Sequence, residues 1–551
     1  MKYILKNDMT LRITMLMVIF LMALGGCTDF LEEVPTNQLT TSADLTSIEY
    51  KEPFTVGPYR RLQNWTSGAG DWGNNLPSTL EYPTGGAYTD EPHVLFDKFR
   101  TNQVTGSLLD DFNNQWFYWY SGVQDCNLSI KQLPLINMSE TELNKALGEV
   151  RALRAFYYFC IVRYWGDAVL VTEPVTDVWA TEMPRTSLKT IYDEIIIPDL
   201  EFAVANLPAG RSTNGRVTKD VARAILADVY MTVAGYPYQE VATDPTKDWC
   251  GTAAWSAHAY PVASGLEFLK KAQTQLEALY NNEYTLGTYD DLRDPAMNNK
   301  GEAIFQVQYN ATLGGNGVIQ PSLPLLSGIS PKEENGTFTP WVGYYNSYSD
   351  EDLRKQERQF FFTWDTKYNN VEDTVRFDVP YLYKQYVPSA VKGTDGSGLN
   401  WSHYRYGEIL LMLTEVNWAL KQLGQSVSDD DIVKGINEVR ARALLAPYTA
   451  SEVGLKEILA ERAWELIFEN KMIWDQRRTR RCVVYGNGEI SDIQNFVGHQ
   501  PAIFNFAFAP MHLLSPIPSN EISRNRLMQQ NSGYLPYKIK YCILKLFNKK
   551  I

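Results

Sequence analysis

The stretch from Ser139 to Asp167 restricts the possible folds more than any other part of this chain. Leu143, Leu147, Val150, Leu153, Phe156, Tyr157, Cys160 and Ile161 recur at three- and four-residue steps, the spacing that gathers apolar side chains on one face of an α-helix. Ser139-Glu140-Thr141-Glu142 offers a capping hydroxyl followed by acids that suit the positive end of the helix dipole, and Gly166-Asp167 supplies the stop. The spacing therefore predicts a helix over 140–164 that must bury one side against other helices. Further helices are expected over 110–132 (Phe112, Trp116, Tyr120, Val123, Leu128), 187–206, 218–235 (Thr218 as N-cap), 262–282, 404–423, 429–445 and 453–478. One opening helix is expected near 42–63, with long loops as far as 105 and a mostly coiled tail after 478. The interval 283–402 contains a strand-like run, 303–309, among too many Gly, Pro and Asn for helices. The expected fold class is mainly all-α: a tetratricopeptide-type helix-pair scaffold, unevenly spaced, with a large loop-rich, partly β insertion. Loops on a rigid scaffold are where binding usually resides.

At 551 residues and a net charge of −13, the chain has ample material for a core and repels nucleic-acid backbone, so no nucleic-acid partner is expected. The six cysteines form no CxxC pair and no zinc-like cluster with the five histidines. No metal and no cofactor is expected. Apart from Cys27, the thiols read as buried and free.

The first residues read as a targeting segment. Lys2, Lys6 and Arg12 form a basic start, tempered by Asp8, and Ile13 to Leu24 is apolar apart from Thr14. That length suits a signal peptide and is too short for an ordinary membrane span. Leu24-Gly25-Gly26-Cys27 follows, with small residues that fit a peptidase groove and a thiol to receive lipid. Residues 1–26 are therefore expected to be a lipoprotein signal peptide, with Cys27 lipidated as the membrane anchor.

No HExxH, P-loop or GxSxG is present. Gly68-Ala-Gly70-Asp-Trp-Gly73, Gly85-Gly86 and Gly314-Gly315-Asn316-Gly317 read as turns, because no strand–helix pattern surrounds them. A glycosidase needs only two facing carboxylates, and Asp90-Glu91 and Asp350-Glu351-Asp352 are the nominal candidates. Adjacent acids of this kind more often decorate a loop or a helix start.

Sugar binding has a firmer basis in the aromatic content, which includes 14 Trp and 33 Tyr. Sugar rings stack their apolar faces on flat aromatics, and their hydroxyls pair with polar side chains. Two loop regions combine these residue types. The first holds Asn64, Trp65, Asp71, Trp72, Asn74, Asn75, Tyr82, Tyr88 and Asp90. The second holds Trp341, Tyr344, Tyr345, Asn346 and Tyr348, with Asn335 and Gly336 ahead of it. Trp72, Asn74, Asn75, Tyr88, Trp341 and Tyr344 are the expected ligand-binding residues; Trp116, Tyr157, Tyr158 and Trp464, inside predicted helices, are expected in the core.

Several segments together resemble one family. They are Cys27-Thr-Asp-Phe-Leu with Pro35; Glu149-Val-Arg151-Ala-Leu-Arg154 leading to Tyr164-Trp-Gly166-Asp167 and Glu173-Pro174; and Gly215-Arg216-Val-Thr218-Lys219. Asn437-Glu-Val-Arg440-Ala-Arg442-Ala443, Glu461-Arg462-Ala-Trp-Glu465-Leu466 with Trp474-Asp475-Gln-Arg477-Arg478, and Leu514-Ser-Pro516-Ile-Pro518 with Gly533-Tyr534 complete the set. In this order they resemble the SusD/RagB family of outer-membrane glycan-binding lipoproteins. The resemblance implies a surface-displayed, lipid-anchored protein of the bacterial outer membrane, non-enzymatic, that binds oligosaccharide or polysaccharide and delivers it to a partner TonB-dependent, SusC-like transporter. A surface glycoside hydrolase and a peptide-binding lipoprotein of the same fold stay open as alternatives. Domain bounds are drawn at 27–241 and 242–536, and the basic-apolar tail 537–551 departs from the family pattern. The charged residues Arg151, Arg154, Glu461, Arg462 and Glu465 within these motifs are expected to pair with one another or to cap helices rather than to touch ligand. If Cys27 is lipidated, the mature protein partitions into a detergent phase and Cys27→Ala does not; an unmodified mature N-terminus in mass spectrometry would contradict this.

Overall fold

A computed structural model describes residues 46–66, 76–90, 92, 94–106, 110–175, 182–234, 262–313 and 315–534. Its backbone is a row of helices: α1 Asp110–Gln132, α2 Glu140–Trp165, α3 Ile197–Asn206, α4 Lys219–Ala234, α5 Val262–Glu277, α6 Tyr406–Gln422, α7 Asp429–Arg442, α8 Leu455–Glu465 and α9 Met472–Thr479. Neighbours in the chain pack on one another from α1 through α6, and α6 then packs on both α7 and α8. This is the mainly helical, pairwise architecture the periodicity predicts. The junction drawn near 241 lies in 235–261, outside the described residues, and the helices flanking it, α4 and α5, pack together.

Local chemistry accounts for the helix ends. Ser139 accepts from the Glu142 N–H at 3.3 Å while Glu142 returns a bond to the Ser139 N–H, and Gly166 ends α2 at φ +77°. Helix α3 continues from Leu188–Ile191 through a π turn at Tyr192–Ile196. Pro198, two residues beyond that turn, has no N–H and crowds the carbonyl four residues back, which lies within it.

Among the described residues the strands form four antiparallel pairs: β1 Ala87–Tyr88 with β3 Thr339–Pro340, β2 Ala303–Val307 with β6 Trp401–Arg405, β4 Phe361–Lys367 with β5 Asn370–Leu382, and β7 Arg481–Tyr485 with β8 Ile490–Asn495. Three expectations need correction. The opening helix is a mixed α and 3-10 run over 48–65, whose Trp65 is buried. The segment after 478 is not plain coil, since it holds the β7–β8 hairpin and the helix Ser519–Arg524. The helix expected over 453–478 is two helices, broken at Phe468 and Asn470, both in the left-handed region at φ +56° and +61°.

Buried charge explains the break. Unwinding after Glu465 frees its carbonyl to accept from Lys384 Nζ and Arg405 Nη2, both at 2.8 Å, so the last turn of α8 is satisfied by cations. Asn470 turns toward the 76–81 helix, donating to the Pro77 carbonyl at 3.0 Å, and Glu81 accepts from its backbone N–H at 2.7 Å. Around this point Asp352, Glu302, Glu461, Glu465 and Glu469 interlock with Arg354, Arg405, Arg440, Arg442 and Lys384. Burial opposes charging Glu465, yet Arg442, Arg405 and Arg354 hold its carboxyl down at about 2. A second set joins Arg478 to Glu415 and Asp475, Arg462 to Asp475 and Glu408, and Lys471 to Glu408. Arg151 and Arg154 both clasp Asp199. The charged family motifs thus pair inside the scaffold, as expected. Removing one partner of a buried pair strands the other, so Glu465→Ala should lose about 3–5 kcal/mol of stability in chemical denaturation. A loss below about 1 kcal/mol would show the network to be dispensable.

Candidate functional site

The β1–β3 ladder brings the two aromatic loop regions together. Tyr88 pairs with Thr339 and Ala87 with Pro340, and the Trp341 N–H donates to the Gly86 carbonyl at 2.9 Å. Thr339 Oγ1 donates to the Tyr88 carbonyl at 2.9 Å and reinforces the pairing. Burial alternates along the first strand: Ala87 and Thr89 face inward, Tyr88 is 43% exposed and Asp90 is half-buried. Trp341, two residues beyond Thr339, stands diagonally from Tyr88 at the rim of the ladder. The Tyr88 ring rests edge-on against Phe96, with centroids 5.5 Å apart, and the Trp341 ring leans on Tyr485 at 5.7 Å.

The floor beneath the ladder is aromatic core. Tyr344 is buried, donates to the Ala463 carbonyl, and lies 4.9 Å from the Tyr485 ring. Gly86 sits directly on these two rings: a Cβ there would stand 3.1 Å from the Tyr485 hydroxyl and 3.3 Å from Tyr344 Cδ1. Tyr344 is therefore a supporting residue and not part of the exposed surface, which corrects its expected role. Tyr82 and Tyr348 are likewise core, their hydroxyls spent on the carbonyls of Thr337 and Trp464. Trp72, Asn74 and Asn75 lie outside the described residues, as does Glu91; the described chain resumes at Leu76, one residue beyond Asn75. Trp116, Tyr157, Tyr158 and Trp464 are buried, as their helical placement implies.

Two features had no signal in the local pattern. Tyr381, near the end of β5, donates its hydroxyl to the Asp90 carboxylate. Gly336, at φ +59°, accepts from the Asp90 N–H at 2.8 Å, and a Cβ on it would press to 2.8 Å from Asp90 Oδ2. The period-2 burial of β5 hints at a strand, but its partner across the site cannot be read from it.

Of the candidate acids, Asp352 is engaged with buried Arg354 and Asp350 with Lys355 at 2.6 Å. No group of three or more metal-ligating side chains occurs among the described residues. Buried His403 is ringed by Trp65, Phe156 and Phe305, and burial holds its imidazole well below the usual range. Cys126, Cys160 and Cys482 are buried free thiols.

Comparison with known proteins agrees with this architecture. The SusD family model matches residues 272–534, and a family described as starch-binding, associating with the outer membrane, matches 62–231. A SusD superfamily protein from Parabacteroides distasonis superposes with a TM-score of 0.78 over 90% of this chain and 100% of that one, at 31% identity. SusD-like protein P2 of Formosa agariphila is 25% identical, spanning 94% of this chain and 98% of its own. The surface glycan-binding protein A of Bacteroides thetaiotaomicron, solved with laminarihexaose, shares the fold at a TM-score of 0.65 and 19% identity, covering 88% of this chain and 100% of that one. Stacked helix pairs joined to a loop-rich region with short strand pairs define a mainly helical scaffold protein. The chain belongs to the SusD family.

Glu81, at the end of the helix leading into the ladder, yields a pH prediction. Burial pushes its carboxyl up to about 7, against the opposing N–H donors of Asn470. Because the folded value lies above the ordinary one, stability is fully present below about pH 4.5 and declines as pH rises through 7. Glu81→Gln should therefore gain on the wild type across that window, by on the order of 3 kcal/mol at its upper end. Parallel denaturation curves for the two proteins from pH 4.5 to 8 would show that Glu81 does not carry the proton.

Proposed function

We propose that this protein is a lipid-anchored surface protein of the bacterial outer membrane that captures oligosaccharide or polysaccharide at the Tyr88–Trp341 face. It passes the glycan to a partner TonB-dependent, SusC-like transporter and does not cleave it. The observation that carries this reading is the β1–β3 pairing, which joins two aromatic loop regions distant in sequence and leaves Tyr88 outward beside Trp341. Membership of the SusD family, the outer-membrane description of one matching family, and a structural neighbour solved with laminarihexaose all support it. Cys27 supplies the proposed anchor, and no described helix is long and apolar enough to cross a membrane. Trp72, Asn74 and Asn75 are proposed to extend the face from the segment that precedes Leu76.

The physics is that of stacking. An exposed tyrosine beside a tryptophan offers the flat apolar surface that a pyranose face requires, and each such contact is worth roughly 1–3 kcal/mol by analogy with bases on aromatics. Tyr88→Ala and Trp341→Ala should each weaken glycan binding by about five- to 150-fold in affinity electrophoresis or calorimetry against a polysaccharide panel. Exposed Tyr88 should leave the melting temperature near that of the wild type, whereas Trp341, which also packs on Tyr485, lowers it. Unchanged affinity in both variants would place the binding surface elsewhere, and release of new reducing ends by the pure protein would favour a hydrolase.

A further inference from the structure

We infer that Asp90 is the fixed polar anchor of the Tyr88–Trp341 face and that it restricts the ligand to uncharged glycans, excluding uronic and sulfated ones; this rests on the reading of that face as the glycan site. Asp90 lies two residues beyond Tyr88, just past the end of β1, and is half-buried, so part of it stays open to solvent close in the chain to the exposed ring. It is held from two directions. The Tyr381 hydroxyl donates to Oδ2, and the Asp90 N–H donates to the Gly336 carbonyl at 2.8 Å. Gly336 permits this approach, since a Cβ there would meet Oδ2 at 2.8 Å. An acceptor fixed in this way requires little reorganisation when a ligand arrives.

The partners of Asp90 are all neutral. Among the described residues no lysine or arginine forms an ion pair with it, in contrast to Glu461, Glu465 and Glu415 of the scaffold, each of which meets an arginine. A carboxylate offers about four lone-pair positions, so its bond from Tyr381 leaves others for sugar hydroxyls. A ligand carboxylate or sulfate at the same place would meet an uncompensated negative charge, within a chain that is itself at −13. Partial burial strengthens that repulsion relative to water.

The test is affinity electrophoresis of the full chain in gels containing neutral polysaccharides (laminarin, starch, galactomannan) or anionic ones (polygalacturonate, alginate, carrageenan). Wild type, Asp90→Asn, Tyr381→Phe, Tyr88→Ala and Trp341→Ala are compared. The expected result is retention of the wild type by a neutral polymer only. That retention should be lost with Tyr88→Ala, weakened about tenfold with Asp90→Asn, and weakened less with Tyr381→Phe, which keeps the charge but frees its position. Asp90→Asn should also begin to be retained by an anionic polymer, whereas Tyr381→Phe should not. Wild-type retention by an anionic polymer that is lost with Tyr88→Ala would overturn this inference while leaving the glycan face intact. Retention that ignores both Tyr88 and Trp341 would remove the face and the role of Asp90 with it. No retention by any of the six polymers would count against both.

Discussion

Everything in this scaffold turns on the buried carboxylate of Glu465. It meets Arg354, Arg405 and Arg442 at once, and its own carbonyl receives Arg405 and Lys384 where helix α8 ends. Those cations come from the loop-rich region, from the strand before α6 and from α7, so one side chain ties the insertion to the helix stack. Ion pairs of this kind add little net stability over an apolar core of the same shape. They do penalise alternative packings, since any rearrangement strands a charge away from water.

The same interactions place the candidate site. Because the helix yields at Glu465 to serve buried cations, Phe468 and Asn470 take left-handed backbone, and Asn470 then grips Glu81 and the Pro77 carbonyl. The segment that follows Glu81 runs through Tyr82 to Gly86 over the rings of Tyr344 and Tyr485, and ends at Tyr88. The position of the exposed ring is therefore set from the charged interior outward, through residues that are mostly buried.

Much of the fold was legible because helix periodicity and capping are local. The α2 boundaries, the Ser139 cap and the Gly166 stop follow from adjacent residues, and the pairing role of Arg151, Arg154, Glu461, Arg462 and Glu465 follows from charges lying among apolar neighbours. The break inside 453–478 was not legible, because its cause lies in Arg405 and Lys384, far away in the chain. The candidate site was half legible. Aromatic loops pointed to Tyr88 and Trp341, but local sequence cannot separate a displayed ring from one used as floor, and Tyr344 proved to be floor. Tyr381, which steadies Asp90, lies in a strand whose neighbours across the site no local pattern reveals.

The ladder that assembles the face is only two residues long and joins positions 87–88 to 339–340. Closing so wide a loop costs chain entropy that so few hydrogen bonds cannot repay, so the contact is sustained by the structure around it. Such a surface comes into being only when distant parts of the polypeptide have already found their places. Competence to hold a ligand would then act as a certificate of completed folding, withheld from every partially assembled form of the molecule.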